Sequence, residues 1–153
     1  MKNQLLIYAI GNPARGDDGL GMEFLNQLPQ ETHFDIKHNY QFNVEDAEVF
    51  SSYDSILVVD AHKYTLKPFE VTKIEPSFNS LFSTHGVTSK TILTLCEDLY
   101  SKRPETHLLA IRGYEFELKE SLSQMARENL HMAKNWFLNE FVSNSRKISE
   151  LTL

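Results

Sequence analysis

The segment Ser55-Ile56-Leu57-Val58-Val59-Asp60 constrains the fold more than any other. Its apolar run is unbroken and mostly branched, so a strand built from it suits the centre of a parallel sheet, buried on both faces. Leu5-Leu6-Ile7-Tyr8-Ala9-Ile10 reads as a buried first strand. Thr32 to His38 alternates apolar Phe34 and Ile36 with polar neighbours and predicts a second strand. Pro68 to Ile74 predicts an edge strand, and Thr106 to Arg112 a last strand stopped by Gly113. Helices are expected at Met22–Leu28, at Val44–Phe50 with Asn43 as N-cap, and at Val87–Tyr100. A long helix is expected from Ser121, its candidate cap, to Val142, followed by a polar tail that frays from Ser143. Strands that alternate with helices in this way predict an α/β fold. The expected architecture is a three-layer α/β/α sandwich around a mostly parallel, mixed five-stranded sheet, in a single domain spanning residues 1–153.

With 153 residues, 41% of them hydrophobic, the chain can bury one real core. A net charge of -6 argues against a nucleic-acid partner. No apolar run approaches the roughly 20 residues of a membrane span, and the N-terminus lacks the pattern of a signal peptide. A cytoplasmic monomer with no membrane partner is the expectation. Cys96 is the only cysteine, so an intrachain disulfide is excluded. It shares a helical face with Ile92, Leu95 and Leu99 and reads as a small buried hydrophobe, with a catalytic nucleophile as the alternative.

The chemistry gathers at strand ends, where open parallel sheets bind their ligands. The turn Gly11-Asn12-Pro13-Ala14-Arg15-Gly16-Asp17-Asp18-Gly19-Leu20-Gly21 has the glycine spacing of a phosphate loop. Two aspartates stand where such a loop carries lysine and a hydroxyl, and they would repel phosphate. That inversion points to a cation. Asp60 closes the central strand, where an unpaired charge is costly, and His85 precedes the third helix. Asp18, Asp60 and His85 could together hold a divalent cation with positions left open for water or substrate. Each also has a plainer reading. Asp17 or Asp18 could cap the next helix, and His85 could be a loop histidine. His62 could assist the metal or simply lie on the surface. The other histidines show no ligand spacing. The chain lacks a Gly-x-Ser-x-Gly elbow, a His-Glu-x-x-His helix and the full dinucleotide fingerprint.

These motifs together resemble the [NiFe]-hydrogenase maturation endopeptidases. The likeness rests on Gly11-Asn12 with Asp17-Asp18-Gly19-Leu20-Gly21, on Asp60-Ala61, and on Ser83-Thr84-His85. Leu108 to Gly113, Phe116-Glu117-Leu118, Leu122-Ser123 and Asn129-Leu130 resemble one subgroup, as do Tyr40-Gln41-Phe42 and Glu45-Asp46-Ala47. A Gly-Thr element common after the second strand is absent, and Ala9 replaces a frequent glycine.

The resemblance implies a phosphorylase/hydrolase-like arrangement of the α/β sandwich and an aspartic-type, metal-dependent endopeptidase that removes a C-terminal extension from the precursor of a hydrogenase large subunit after nickel insertion. It implies that Asp18, Asp60 and His85 are the metal-contacting and catalytic residues. The metal would be nickel supplied by the substrate, with another divalent ion able to replace it in crystals. Two alternatives carry different chemistry: a non-catalytic metal-sensing module for the same precursor, and a nucleotide-binding enzyme built on the glycine turn.

Overall fold

The computed structural model describes residues 4–29, 33–84 and 86–142. Thr32, His85 and the tail from Ser143 lie outside the described residues. Strands β1 (Leu5–Ile10), β2 (Asp35–Asn39), β3 (Ser55–His62), β4 (Phe69–Ile74) and β5 (Glu105–Arg112) form one sheet in the order β2-β1-β3-β5-β4. The first three strands and β5 run parallel, and β4 is an antiparallel edge strand. The branched run of β3 therefore occupies the centre of the sheet, as its composition requires. The helices are α1 (Leu20–Gln27), α2 (Asp46–Ser51), α3 (Ser89–Tyr100) and α4 (Gln124–Trp136), the last continuing as a π-turn over Phe137–Phe141.

Alternate side chains of the strands enter two cores. Ile7, Ala9, Leu57, Val59, Leu109 and Ile111 pack with residues of α1 and α4, including Phe24 and Leu130. Leu6, Tyr8, Ile10, Ile56 and Val58 pack with residues of α2 and α3, including Phe50 and Ile92. Full burial of a large aliphatic side chain contributes about 1.5–3 kcal/mol, so these two layers supply the main driving force. The result is the α/β sandwich expected from the alternation of elements. Cys96 lies fully buried in the second core. Burial, with help from the charge of Glu97, pushes its thiol up to about 11, so it stays protonated and serves as a hydrophobe.

The structure corrects three sequence expectations. Helix α2 begins at Asp46, and Asn43 does not cap it through its side chain. The buried Asp46 carboxylate instead reaches back to the Asn43 N–H at 2.9 Å and accepts the Tyr8 hydroxyl at 2.9 Å. Helix α4 begins after Ser123 rather than Ser121, because the Ser123 hydroxyl accepts the Ala126 N–H at 3.3 Å. Strand β3 runs two residues past Asp60, pairing Ala61 with Ile111 and His62 with Arg112. Thr88, by contrast, forms a reciprocal capping box with Thr91 where the helical pattern begins.

Helix α1 lies unusually close to the sheet at Gly21. A Cβ there would sit 2.9 Å from the Ile10 carbonyl oxygen and 3.0 Å from that of Val59. Both obstacles are backbone and cannot rotate away. Gly21→Ala is expected to cost about 1–3 kcal/mol through overpacking, read as a lower urea midpoint with an unchanged slope.

Candidate active site

Chain order and sheet order together locate the crevice. β1 connects through α1 to β2 on one side, and β3 lies on the other side of β1, so the chain reverses direction between β1 and β3. In open α/β sheets ligands bind at such a point, outside the carboxyl ends of the strands. The turn after β1 carries Asp18, and the end of β3 carries Asp60.

The turn after β1 is built for an abrupt reversal. Gly11 has φ +138, and a Cβ on it would lie 2.0 Å from the Asp18 carbonyl oxygen. Its N–H donates to the Asn39 carbonyl at 3.1 Å, and its own carbonyl accepts His38 Nε2 at 2.9 Å. Asn12 Oδ1 accepts the Ala14 N–H at 3.0 Å, and a 3-10 turn follows at Gly16–Gly19. This folding brings the Asn12 N–H to the Asp18 carboxylate at 2.7 Å. Any side chain at Gly11 must displace that backbone. Gly11→Ala is expected to cost about 3 kcal/mol or more in stability, measured by chemical unfolding.

Asp60 lies third from the end of β3, on the sheet face shared with α2 and α3. Burial, then the charge of Asp18, push its carboxyl from 3.8 up to about 7, only partly offset by a hydrogen bond from the Ala61 backbone. Two carboxylates are thus close enough to repel one another, an arrangement that a bound cation would relieve. Among the described residues no group of three or more His, Cys, Asp or Glu side chains gathers that could hold a metal ion. His85, the third residue of the expected set, lies outside the described residues.

His62 continues the strand two residues beyond Asp60, yet its ring is already committed. Its Nδ1 accepts the backbone N–H groups of Tyr64 at 3.1 Å and Thr65 at 2.9 Å. An Nδ1 lone pair used in this way places the proton of the neutral ring on Nε2, which leaves no free lone pair for a metal. His62 is a loop-capping surface residue.

Asp17 is the important residue that sequence reasoning placed too loosely, as a cap for the next helix. It is fully buried. Its carboxylate accepts the N–H groups of Tyr114, Glu115 and Ser123 at 2.7, 3.0 and 2.7 Å, and the Ser123 hydroxyl at 2.7 Å. Burial opposes its ionisation, but these bonds overcome that penalty and hold its pKa below the ordinary value. The partners stand 97 to 106 residues away in the chain, so no local pattern could have revealed them. A separate surface cleft of about 280 Å³ lies at the opposite end of β5, near Glu75 and Arg103, and contains none of the candidate residues.

No family model matches the chain. It is 30% identical to a Methanocaldococcus jannaschii protein classed as a hydrogenase maturation protease, over 91% of this chain and 97% of that relative. The chain belongs to the hydrogenase maturation proteases. The family's fold is also present. The hydrogenase-maturating endopeptidase HybD of E. coli superposes with a TM-score of 0.69 at 16% identity, over 94% of each chain. The [NiFe] hydrogenase maturation protease HycI of Thermococcus kodakarensis KOD1 gives a TM-score of 0.66 at 20% identity, over 89% of this chain and 90% of that one. HybD of Thermococcus kodakarensis gives 0.63 at 25% identity, over 88% and 95%. In this maturation protease the paired carboxylates occupy the crevice that the sheet topology provides. Among the described residues, no helix is long and apolar enough to cross a membrane.

Proposed function

We propose that this maturation protease removes the C-terminal extension of a [NiFe]-hydrogenase large-subunit precursor that already carries nickel. The reading is supported most directly by Asp18 and Asp60. They flank the crevice between β1 and β3, where burial, and then the charge of Asp18, push the Asp60 carboxyl up to about 7. A pair of this kind is suited to a cation presented from outside. Asp18 and Asp60 would contact the nickel of the precursor through carboxylate oxygens, and His85 would add an imidazole nitrogen. Seated there, nickel supplies Lewis-acid polarisation to the hydrolysis of the peptide bond.

The protein's own part is chiefly geometric. The Asn12 N–H holds one Asp18 oxygen at 2.7 Å, and β3 fixes the direction of Asp60. An incomplete donor set binds a free ion weakly and a partly coordinated one well, which ties cleavage to a precursor whose metal is in place. The enzyme is thereby a metal-dependent endopeptidase whose aspartates act on a substrate-borne ion. It acts without nucleic acid or membrane partners, as a cytoplasmic monomer. The relatives are proteases, and no structural observation favours a non-catalytic module.

The residue roles are tested by variants. Asp18→Asn, Asp60→Asn and His85→Ala are each expected to slow shortening of a nickel-loaded precursor by at least about 100-fold, followed by intact-protein mass spectrometry. Full-rate cleavage by all three variants would remove the proposed site.

A further inference from the structure

The acidic pair Asp17-Asp18 divides its work between two sides of one turn. The two residues are consecutive in the 3-10 turn Gly16–Gly19, so their side chains leave the backbone in different directions. Asp18 turns toward the Asn12 N–H and Asp60. Asp17 turns the other way, into residues 113–123. That segment leaves β5, crosses beside β3 where the Gly113 N–H meets the His62 carbonyl at 3.0 Å, and reaches the turn after β1. It is fastened there by backbone bonds from Gly16 to Lys119 at 2.7 Å, Asp17 to Glu115 at 2.7 Å and Lys119 to Ala14 at 3.0 Å. The buried Asp17 carboxylate, with its four hydrogen bonds, closes the joint.

Asp18 has little to hold it in place on its own. Among the described residues, the Asn12 N–H is the one hydrogen-bond donor to its carboxylate. Its direction is therefore inherited from the backbone of the turn, and that backbone is anchored through Asp17. We propose that Asp17 is a positioning residue for the processing reaction. It fixes the turn against the 113–123 segment so that Asp18 meets the metal of the precursor at the correct angle. The proposal rests on the reading of Asp18 given above.

Misplacement of a reacting group by about 1 Å can cost on the order of 100-fold in rate. Asp17→Asn retains the shape of the side chain and removes its charge. In the folded variant, single-turnover cleavage of a nickel-loaded precursor is expected to slow about 100-fold, with the precursor Kd within about threefold of wild type. The Asn12 amide proton, shifted downfield by its bond to Asp18, is expected to move upfield in the NMR spectrum of Asp17→Asn. A purely structural role would leave that signal in place once the protein is folded. A cleavage rate within about threefold of wild type, or an unmoved Asn12 signal, overturns the proposal.

If Asp17→Asn does not fold, Ser123→Ala carries the test: it deletes the hydroxyl bond to Asp17 together with the α4 cap to Ala126, and leaves the three backbone bonds to the Asp17 carboxylate. It is expected to slow cleavage at least about fivefold with the same retained affinity, and an unchanged rate overturns the proposal. Failure of the wild-type protein to shorten the precursor would instead contradict the proposed function. The Asn12 signal would then still report whether Asp17 positions Asp18.

Discussion

Replacing Asp60 by asparagine is expected to stop precursor processing while making the isolated protein more stable at pH 8. The two effects share one cause. Burial and the neighbouring Asp18 raise the Asp60 carboxyl from 3.8 to about 7 in the folded protein. The folded state therefore binds a proton that the unfolded state has released, and stability falls as pH rises across that interval. The penalty is absent below about pH 4 and complete above about pH 7. Each pKa unit corresponds to about 1.4 kcal/mol, and the side chain is only partly buried, so screening reduces the penalty to about 1–3 kcal/mol. Asp60→Asn removes it. The variant is expected to melt about 3–8 °C above wild type at pH 8 and within about 1 °C of it at pH 4. A variant less stable than wild type at pH 8 would show that Asp60 is not held under electrostatic strain.

Asp17→Ala is expected to be among the most damaging substitutions for stability, at about 3–5 kcal/mol. It strands three backbone N–H groups and a serine hydroxyl that the carboxylate now satisfies. Against a total of about 5–15 kcal/mol for a domain, that loss brings the protein to the edge of unfolding. The pH dependence has the opposite sign to that of Asp60. The folded pKa of Asp17 lies below 3.8, so its contribution is present above that value and is lost as pH falls through the folded pKa. Urea titrations at pH 7 and pH 3 should show the wild-type advantage narrowing at the lower pH. A loss under about 1 kcal/mol at pH 7 would contradict the role assigned to the buried carboxylate.

The contrast between these aspartates shows what a sequence of this kind discloses. The strand at Ser55 was legible because burial on both faces leaves no choice of composition, and the acidic turn was legible because charge opposes the usual phosphate loop. Asp60 stood out as a charge closing an apolar strand. Its exact place in β3 was not legible, because pairing with β5 extends the strand to His62. The role of Asp46 and the cap at Ser123 were missed for a related reason: Asp46 answers to Tyr8, and Ser123 to Asp17, across the fold. His62 faces the side expected of it, yet the loop that follows takes its ring nitrogen. Local rules found the groups that carry charge. Which of those charges are compensated depended on contacts between distant segments.

The central claim is that this protease reads nickel in its substrate through the crevice between β1 and β3. The most direct test incubates the wild-type protein with one large-subunit precursor in nickel-loaded and nickel-free forms and follows intact mass. The expected result is loss of the C-terminal extension from the loaded form alone, by a single cut. Equal shortening of both forms, or a loaded precursor that stays bound at full length, would contradict the claim.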